Sequence, residues 1–165
     1  MSTIYDKHFN GNEWYGIITF IIGFLFVFKL KKRFSLKEGL VYFFYCVFIG
    51  MLTDHSIGVP PLDYYDVNDL SSYEFFDFLT YFMFGTYGYL YVYIYDYFNI
   101  KSKYAPLYIL FWSLISTAME LLGDYLGVFH YKNGYKIYYS FPIYLLTLGL
   151  LSYLYTLINT GKKSQ

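Results

Sequence analysis

The sequence predicts an all-α polytopic membrane protein: five transmembrane helices in one bundle, with the N-terminus outside and the C-terminus cytoplasmic. Three observations carry this expectation. Of 165 residues, 57% are hydrophobic and 27% aromatic, with 24 Tyr and 18 Phe, while only 15% are charged, against about 25% in an average soluble domain. Five stretches are long and apolar enough to cross a hydrocarbon core of about 30 Å, which takes roughly 17–25 helical residues. The basic residues also crowd onto alternate connections. Composition alone excludes a purely soluble monomer, whose surface needs more polar groups than this chain holds, and it excludes intrinsic disorder. Twelve basic and twelve acidic residues cancel, so no cationic excess attracts nucleic acid. The partner that the composition names is the lipid bilayer.

The five spans are read at residues 14–30, 39–59, 75–98, 107–129 and 137–158, and the whole chain, 1–165, forms a single bundle domain. The first is flanked by Asp6 and Glu13 rather than by basic residues, and no small-residue cleavage site follows it. It reads as a retained anchor, not a signal peptide. The apolar runs do not alternate as the strands of a membrane barrel must, so helices are preferred. Pro142 either kinks the fifth helix or lies in its first turn. The longest connection carries Asp63, Asp66, Asp69 and Glu74. A run of like charge of this kind reads as a solvated loop, with attraction of cations to the outer face as the sharper alternative.

Orientation follows from the basic residues. Lys29, Lys31, Lys32, Arg33, Lys37, Lys101, Lys103, Lys162 and Lys163 fall on one side of five crossings, with only Glu38 and Asp96 among the acids. Lys7, Lys132 and Lys136 fall on the other side with the remaining ten acids, so the two sides carry +7 and −7. The basic side is read as cytoplasmic.

Helices in lipid associate through small residues and interhelical hydrogen bonds, and each span has such a face. The first has Gly16, Thr19 and Gly23; the second Cys46, Gly50 and Asp54; the third Asp77, Tyr81, Gly85, Gly88, Tyr91 and Tyr95. The fourth has Ser113, Thr117, Glu120, Asp124 and Gly127, and the fifth Gly149, Ser152, Thr156 and Asn159. Tyrosines near span ends read as interface anchors, Asp96 as a wetted interface residue near Lys101 and Lys103, and Cys46 as a small core residue.

The ionisable groups inside the spans are the candidate site. Asp54, His55, Asp77, Glu120 and Asp124 are placed by their spans in the outer half of the membrane, Glu120 and Asp124 roughly 13 and 8 Å below the predicted outer end of the fourth helix at 1.5 Å per residue. Carboxylates at such depth are costly and face a bundle interior with partners. Three readings fit them. They bond hydroxyls across helices and specify packing; they bind a cation or metal, since carboxylates with a His suit a divalent ion; or they relay protons. No HExxH, GxSxG, Walker loop, CxxC or dinucleotide fingerprint is present. No motif names a cofactor or metal, and no enzyme is expected. The leading expectation is a small structural or accessory membrane protein, self-associating or bound to a membrane-protein partner. The rival is a cation-binding or proton- or ion-coupled transport protein acting as an oligomer.

From about Leu40 to Tyr155 the chain resembles an uncharacterised family of small multi-pass membrane proteins from spore-forming, low-GC Gram-positive bacteria. The residues that carry the resemblance are Asp77-Phe78 with Tyr81, Tyr95-Asp96, Tyr108-Ile109, Ser113, Glu120, Tyr131-Lys132 and Tyr139-Ser140-Phe141. The indole expected after Tyr131 is replaced by Gly134-Tyr135. Eleven Lys to one Arg, with Ala only at positions 105 and 118, suits an AT-rich genome. The resemblance implies a bacterial plasma membrane and names no particular activity.

Overall fold

The computed structural model describes residues 3–163, with side chains described up to Thr160; those of Lys162 and Lys163, two of the nine basic residues above, lie outside the described residues. The chain is all-α, with five helices: α1 (Gly11–Lys29), α2 (Leu36–Ile57), α3 (Phe75–Tyr97), α4 (Ala105–Tyr125) and α5 (Ser140–Lys163). Two short strands, β1 (Tyr65–Val67) and β2 (Phe129–Tyr131), sit between α2 and α3 and between α4 and α5.

Local chemistry moves the helix ends away from the apolar boundaries. α1 begins three residues before Trp14 because Glu13 Oε2 accepts the Asn10 backbone N–H at 2.7 Å while Asn10 Oδ1 accepts that of Asn12 at 3.3 Å. α2 begins at Leu36 through the same reciprocal device: Ser35 Oγ accepts the Glu38 N–H at 3.3 Å and Glu38 Oε2 accepts the Ser35 N–H at 2.8 Å. α4 was expected to run to Phe129 but stops at Tyr125. Gly127 takes a left-handed φ of +81°, open to glycine without a Cβ penalty, and the Gly123 carbonyl accepts the Val128 N–H at 2.8 Å. The apolar residues beyond that turn enter β2. Pro142 lies in the first turn of α5, where its missing N–H costs nothing.

α3 is the central helix. It packs along α2 and α1 and touches α5, while α4 packs mainly on α5. Close approach uses the predicted small residues: a Cβ at Gly23 would strike Thr86, one at Gly85 would strike Phe43, and one at Gly88 would strike Cys46. Gly16 and Gly149 have nothing near them, so those two members of the predicted faces make no close contact. α1, α2, α5 and α4 with its preceding turn are each long and apolar enough to cross a membrane. α3 is not, because seven of its residues are tyrosines; it is wrapped by protein instead, with Tyr81, Tyr91, Tyr93 and Tyr95 all buried.

Tyrosines of several helices also have a role inside the bundle that the composition did not suggest. Many donate across helices to backbone carbonyls: Tyr15 to Met119 at 2.8 Å, Tyr45 to Thr147 at 3.0 Å, Tyr87 to Thr19 at 3.2 Å and Tyr108 to Tyr91 at 2.7 Å. Tyr91 bonds Ser152 Oγ at 2.5 Å and the Leu148 carbonyl at 3.3 Å. At the end of the bundle formed by the α1–α2 and α3–α4 connections, Asp96 is partly exposed and forms an ion pair. Its cation is Arg33, at 2.6 Å, not Lys101 or Lys103, and Tyr155 donates to its other oxygen at 2.6 Å. The guanidinium lies over the rings of Tyr93 and Tyr97, 5.9 and 5.4 Å from their centroids.

Gly88→Leu should lower the thermal midpoint in detergent, by overpacking worth about 1–3 kcal/mol, whereas Gly149→Ala should leave it unchanged. An equal effect at both positions would contradict the packing described here.

Candidate functional site

At the opposite end, the N-terminal segment and the α2–α3 and α4–α5 connections form one ordered cap. β1 and β2 pair antiparallel, with Tyr65 opposite Tyr131, Asp66 opposite His130 and Val67 opposite Phe129. Ile4 forms a bridge with Leu70, and the Tyr5 N–H bonds the Asp69 carbonyl at 2.8 Å. Asn133 and Gly134, at φ +51° and +78°, turn the chain after β2.

This arrangement revises the reading of the acidic connection as a solvated charge run. Asp66 is buried; its Oδ2 accepts from the Tyr5 hydroxyl at 2.6 Å and from Lys132 Nζ at 2.8 Å, while Asp63 holds the same ammonium at 2.7 Å. Tyr5 stacks on the His130 ring at 3.8 Å, and His130 Nε2 lies 2.8 Å from the Asn68 carbonyl. Asp69 accepts from Asn12 of α1 at 2.5 Å. Partial burial works against the charge of Lys132, but hydrogen bonds and attraction from Asp63 and Asp66 outweigh it and raise its pKa above the ordinary 10.5.

Three of the five candidate residues grip this cap from below. Asp54, near the end of α2, accepts from the Tyr65 hydroxyl of β1 at 2.7 Å. Asp77, in the first turn of α3, accepts from Asn68 Nδ2 at 2.7 Å and from the Glu74 backbone N–H at 2.8 Å. Glu120 Oε1, on α4, accepts from the Tyr131 hydroxyl of β2 and from Ser140 Oγ at the start of α5, both at 2.6 Å. Because α4 ends early, Glu120 is five residues from its end, about 7–8 Å at 1.5 Å per residue. The other two do not join. His55 is exposed, its Nδ1 2.9 Å from the carbonyl of Met51 in its own helix. Asp124 is half-buried in the last turn of α4, within electrostatic reach of Glu120 and Tyr131 but without a side-chain hydrogen bond among the described residues.

The candidates therefore fall into two neighbourhoods rather than one cluster: Asp54 and Asp77 lie within electrostatic reach of each other, and Glu120 and Asp124 likewise. Among the described residues no three His, Cys, Asp or Glu side chains come together to hold a metal. Each carboxylate meets a neutral donor instead, and the donors respond: burial, then the charge of Asp54, raises the pKa of Tyr65, and burial, then the bond to Glu120, raises that of Tyr131. Both phenols stay protonated donors. Sequence reasoning missed Tyr65, Asn68, Tyr131 and Lys132 as partners. The Asn133-Gly134 dipeptide was a legible turn signal, but strands of three residues carry no readable period.

Tyr65→Phe and Tyr131→Phe should each remove one bond to a carboxylate, costing about 1.5–3 kcal/mol, and should speed limited proteolysis of the cap; His55→Ala should not. The Lys132 pairs have their own pH signature. With its pKa raised by folding, their contribution is complete below the ordinary lysine value and is lost as pH climbs through the folded one. Cap proteolysis should accelerate in that alkaline range in the wild type, and Lys132→Met should flatten the response.

Compared with known proteins, the chain matches no family model, no curated protein and no solved structure, and the reading of its site rests on its own geometry.

Proposed function

We propose that this is a five-span bacterial plasma-membrane protein without catalytic chemistry, a structural or accessory component that presents a rigid cap on the outer face. Its lipid-facing sides are available to a second copy or to a membrane-protein partner. The observation that carries the reading is that three helices each commit a carboxylate to a different residue of the cap: Asp54 to Tyr65, Asp77 to Asn68 and Glu120 to Tyr131. Carboxylates placed for transport would be expected to line a shared path. Here they act as acceptors that fix the cap to the bundle.

Five crossings, rather than four, are supported by the ends of α3. Its first turn bonds the cap through Asp77, and Asp96 near its last turn pairs with Arg33 in the connection between α1 and α2. A 23-residue helix joining the same two ends as its apolar neighbours is about 34 Å long at 1.5 Å per residue, enough to cross with them. The −7 and +7 charge asymmetry supports the cap end as outer and the basic end as cytoplasmic.

Ser72 and Ser102 are exposed at the two ends. In intact cells a membrane-impermeant maleimide should label Ser72→Cys and spare Ser102→Cys; labelling of both, or of neither, would mean that α3 does not cross. Reconstituted in liposomes, the protein should move neither protons nor Na+ faster than protein-free vesicles. Measurable flux would displace the structural reading in favour of transport.

A further inference from the structure

Three buried side-chain polar atoms among the described residues have no hydrogen-bond partner: Tyr42 OH, Ser113 Oγ and Glu120 Oε2. The first two belong to neutral hydroxyls. The third belongs to a carboxyl group whose residue is only 7% exposed, and a buried charge left uncompensated is far costlier than a buried hydroxyl.

The surroundings of Glu120 are rich in oxygen and, among the described residues, contain no Lys or Arg. Ser140 and Tyr144 face it from α5 and Tyr131 from β2; Tyr15 of α1, Tyr65 and Tyr135 of the cap and Asp124 of its own helix lie within electrostatic reach. The Tyr135 hydroxyl is 2.9 Å from Ser140 Oγ. The Lys or Arg nearest to this group in sequence, Lys132, is committed to Asp63 and Asp66. Oε1 holds both Tyr131 and Ser140, while Oε2 has no partner within hydrogen-bond distance; the Tyr144 hydroxyl acts on the carboxylate only as a longer, weaker donor.

We propose that Glu120 Oε2, with the hydroxyl oxygens of Tyr144, Ser140 and Tyr131, binds one Na+ that completes the attachment of the cap to α4 and α5. Each hydroxyl that donates its proton to Oε1 keeps lone pairs to offer a cation. Carboxylate and hydroxyl oxygens are hard donors suited to hard cations. The Glu120 carboxylate alone balances one positive charge, and among the described residues no three His, Cys, Asp or Glu side chains gather here to supply the fuller ligand set a divalent ion takes. The inference rests on Glu120 holding the cap, but it concerns only the oxygen that the cap does not use.

The test uses the full chain in detergent and a hydrophobic carbodiimide, which modifies carboxyl groups, with labelling at Glu120 read by mass spectrometry. At equal pH and ionic strength, labelling in NaCl should be slower than in choline chloride, by about tenfold when Na+ is ten times its dissociation constant, since protection follows 1 + [L]/Kd. Na+ should also raise the thermal midpoint. Tyr144→Phe should retain labelling but lose most of the protection and most of the Na+ shift, and Glu120→Gln should not be labelled there. If Glu120 is not labelled in either salt, a Na+ shift that disappears in Tyr144→Phe still supports the site. Equal labelling in the two salts overturns it, as does an unlabelled Glu120 with a midpoint that Na+ does not raise. Cap proteolysis of Tyr131→Phe in choline chloride separates the two ideas: if that variant is as resistant as the wild type, the proposal that Glu120 holds the cap fails by itself.

Discussion

A hydroxyl carried to the depth of a bilayer has no water to bond, and a helix carbonyl already bonded within its own helix still has a free lone pair. The bundle is organised by joining these two facts. Tyr15 ties α1 to α4, Tyr45 ties α2 to α5, Tyr87 ties α3 to α1, Tyr91 ties α3 to α5 and Tyr108 ties α4 to α3. Every helix takes part. Because the acceptors are backbone atoms, the bonds fix helix positions rather than side-chain pairs, and the rings supply the apolar contact that lipid-exposed helices cannot gain from a hydrophobic effect. The central place of α3 is a consequence. A helix with seven tyrosines is poorly suited to face hydrocarbon and well suited to be surrounded by helices that offer carbonyls.

The same economy of polar groups governs the two ends. At one end Arg33, Asp96 and Tyr155 form a compact arrangement, the guanidinium bonded to the carboxylate and stacked on Tyr93 and Tyr97. At the other, the carboxylates of Asp54, Asp77 and Glu120 reach up to a small two-stranded cap. The cap carries its own ion pairs through Lys132, so its acidic residues are largely internal rather than a displayed negative surface. What distinguishes Glu120 from the other two is its second oxygen, buried and unpartnered, in surroundings made of hydroxyls.

The positions of the spans were legible because apolar length is a property of the sequence itself, and the helices lie within a few residues of the predicted segments. The ends were less legible. Ser35 and Glu38 form a capping pair that could have been read directly, whereas Val128 and Phe129 continue an apolar run and hide the turn at Gly127. The candidate site was legible as a set of misplaced charges, which picked out Asp54, Asp77 and Glu120 but also His55, which points outward, and Asp124, which stands apart. Their partners could not be read. Tyr65 and Tyr131 are two of 24 tyrosines, and nothing local marks the pair that the two strands bring into register.

Apolar run length, a property of the chain before it folds, marked this as a membrane protein and located its five helices to within a few residues. Only the tertiary structure decided that the most polar of the long helices lies at the centre, that the acidic connection folds into a cap, and that three carboxylates hold three different residues rather than one another. Those outcomes depend on pairings between segments far apart in the chain. Such pairings are selected by the cost of leaving any one of these polar groups alone in a medium without water.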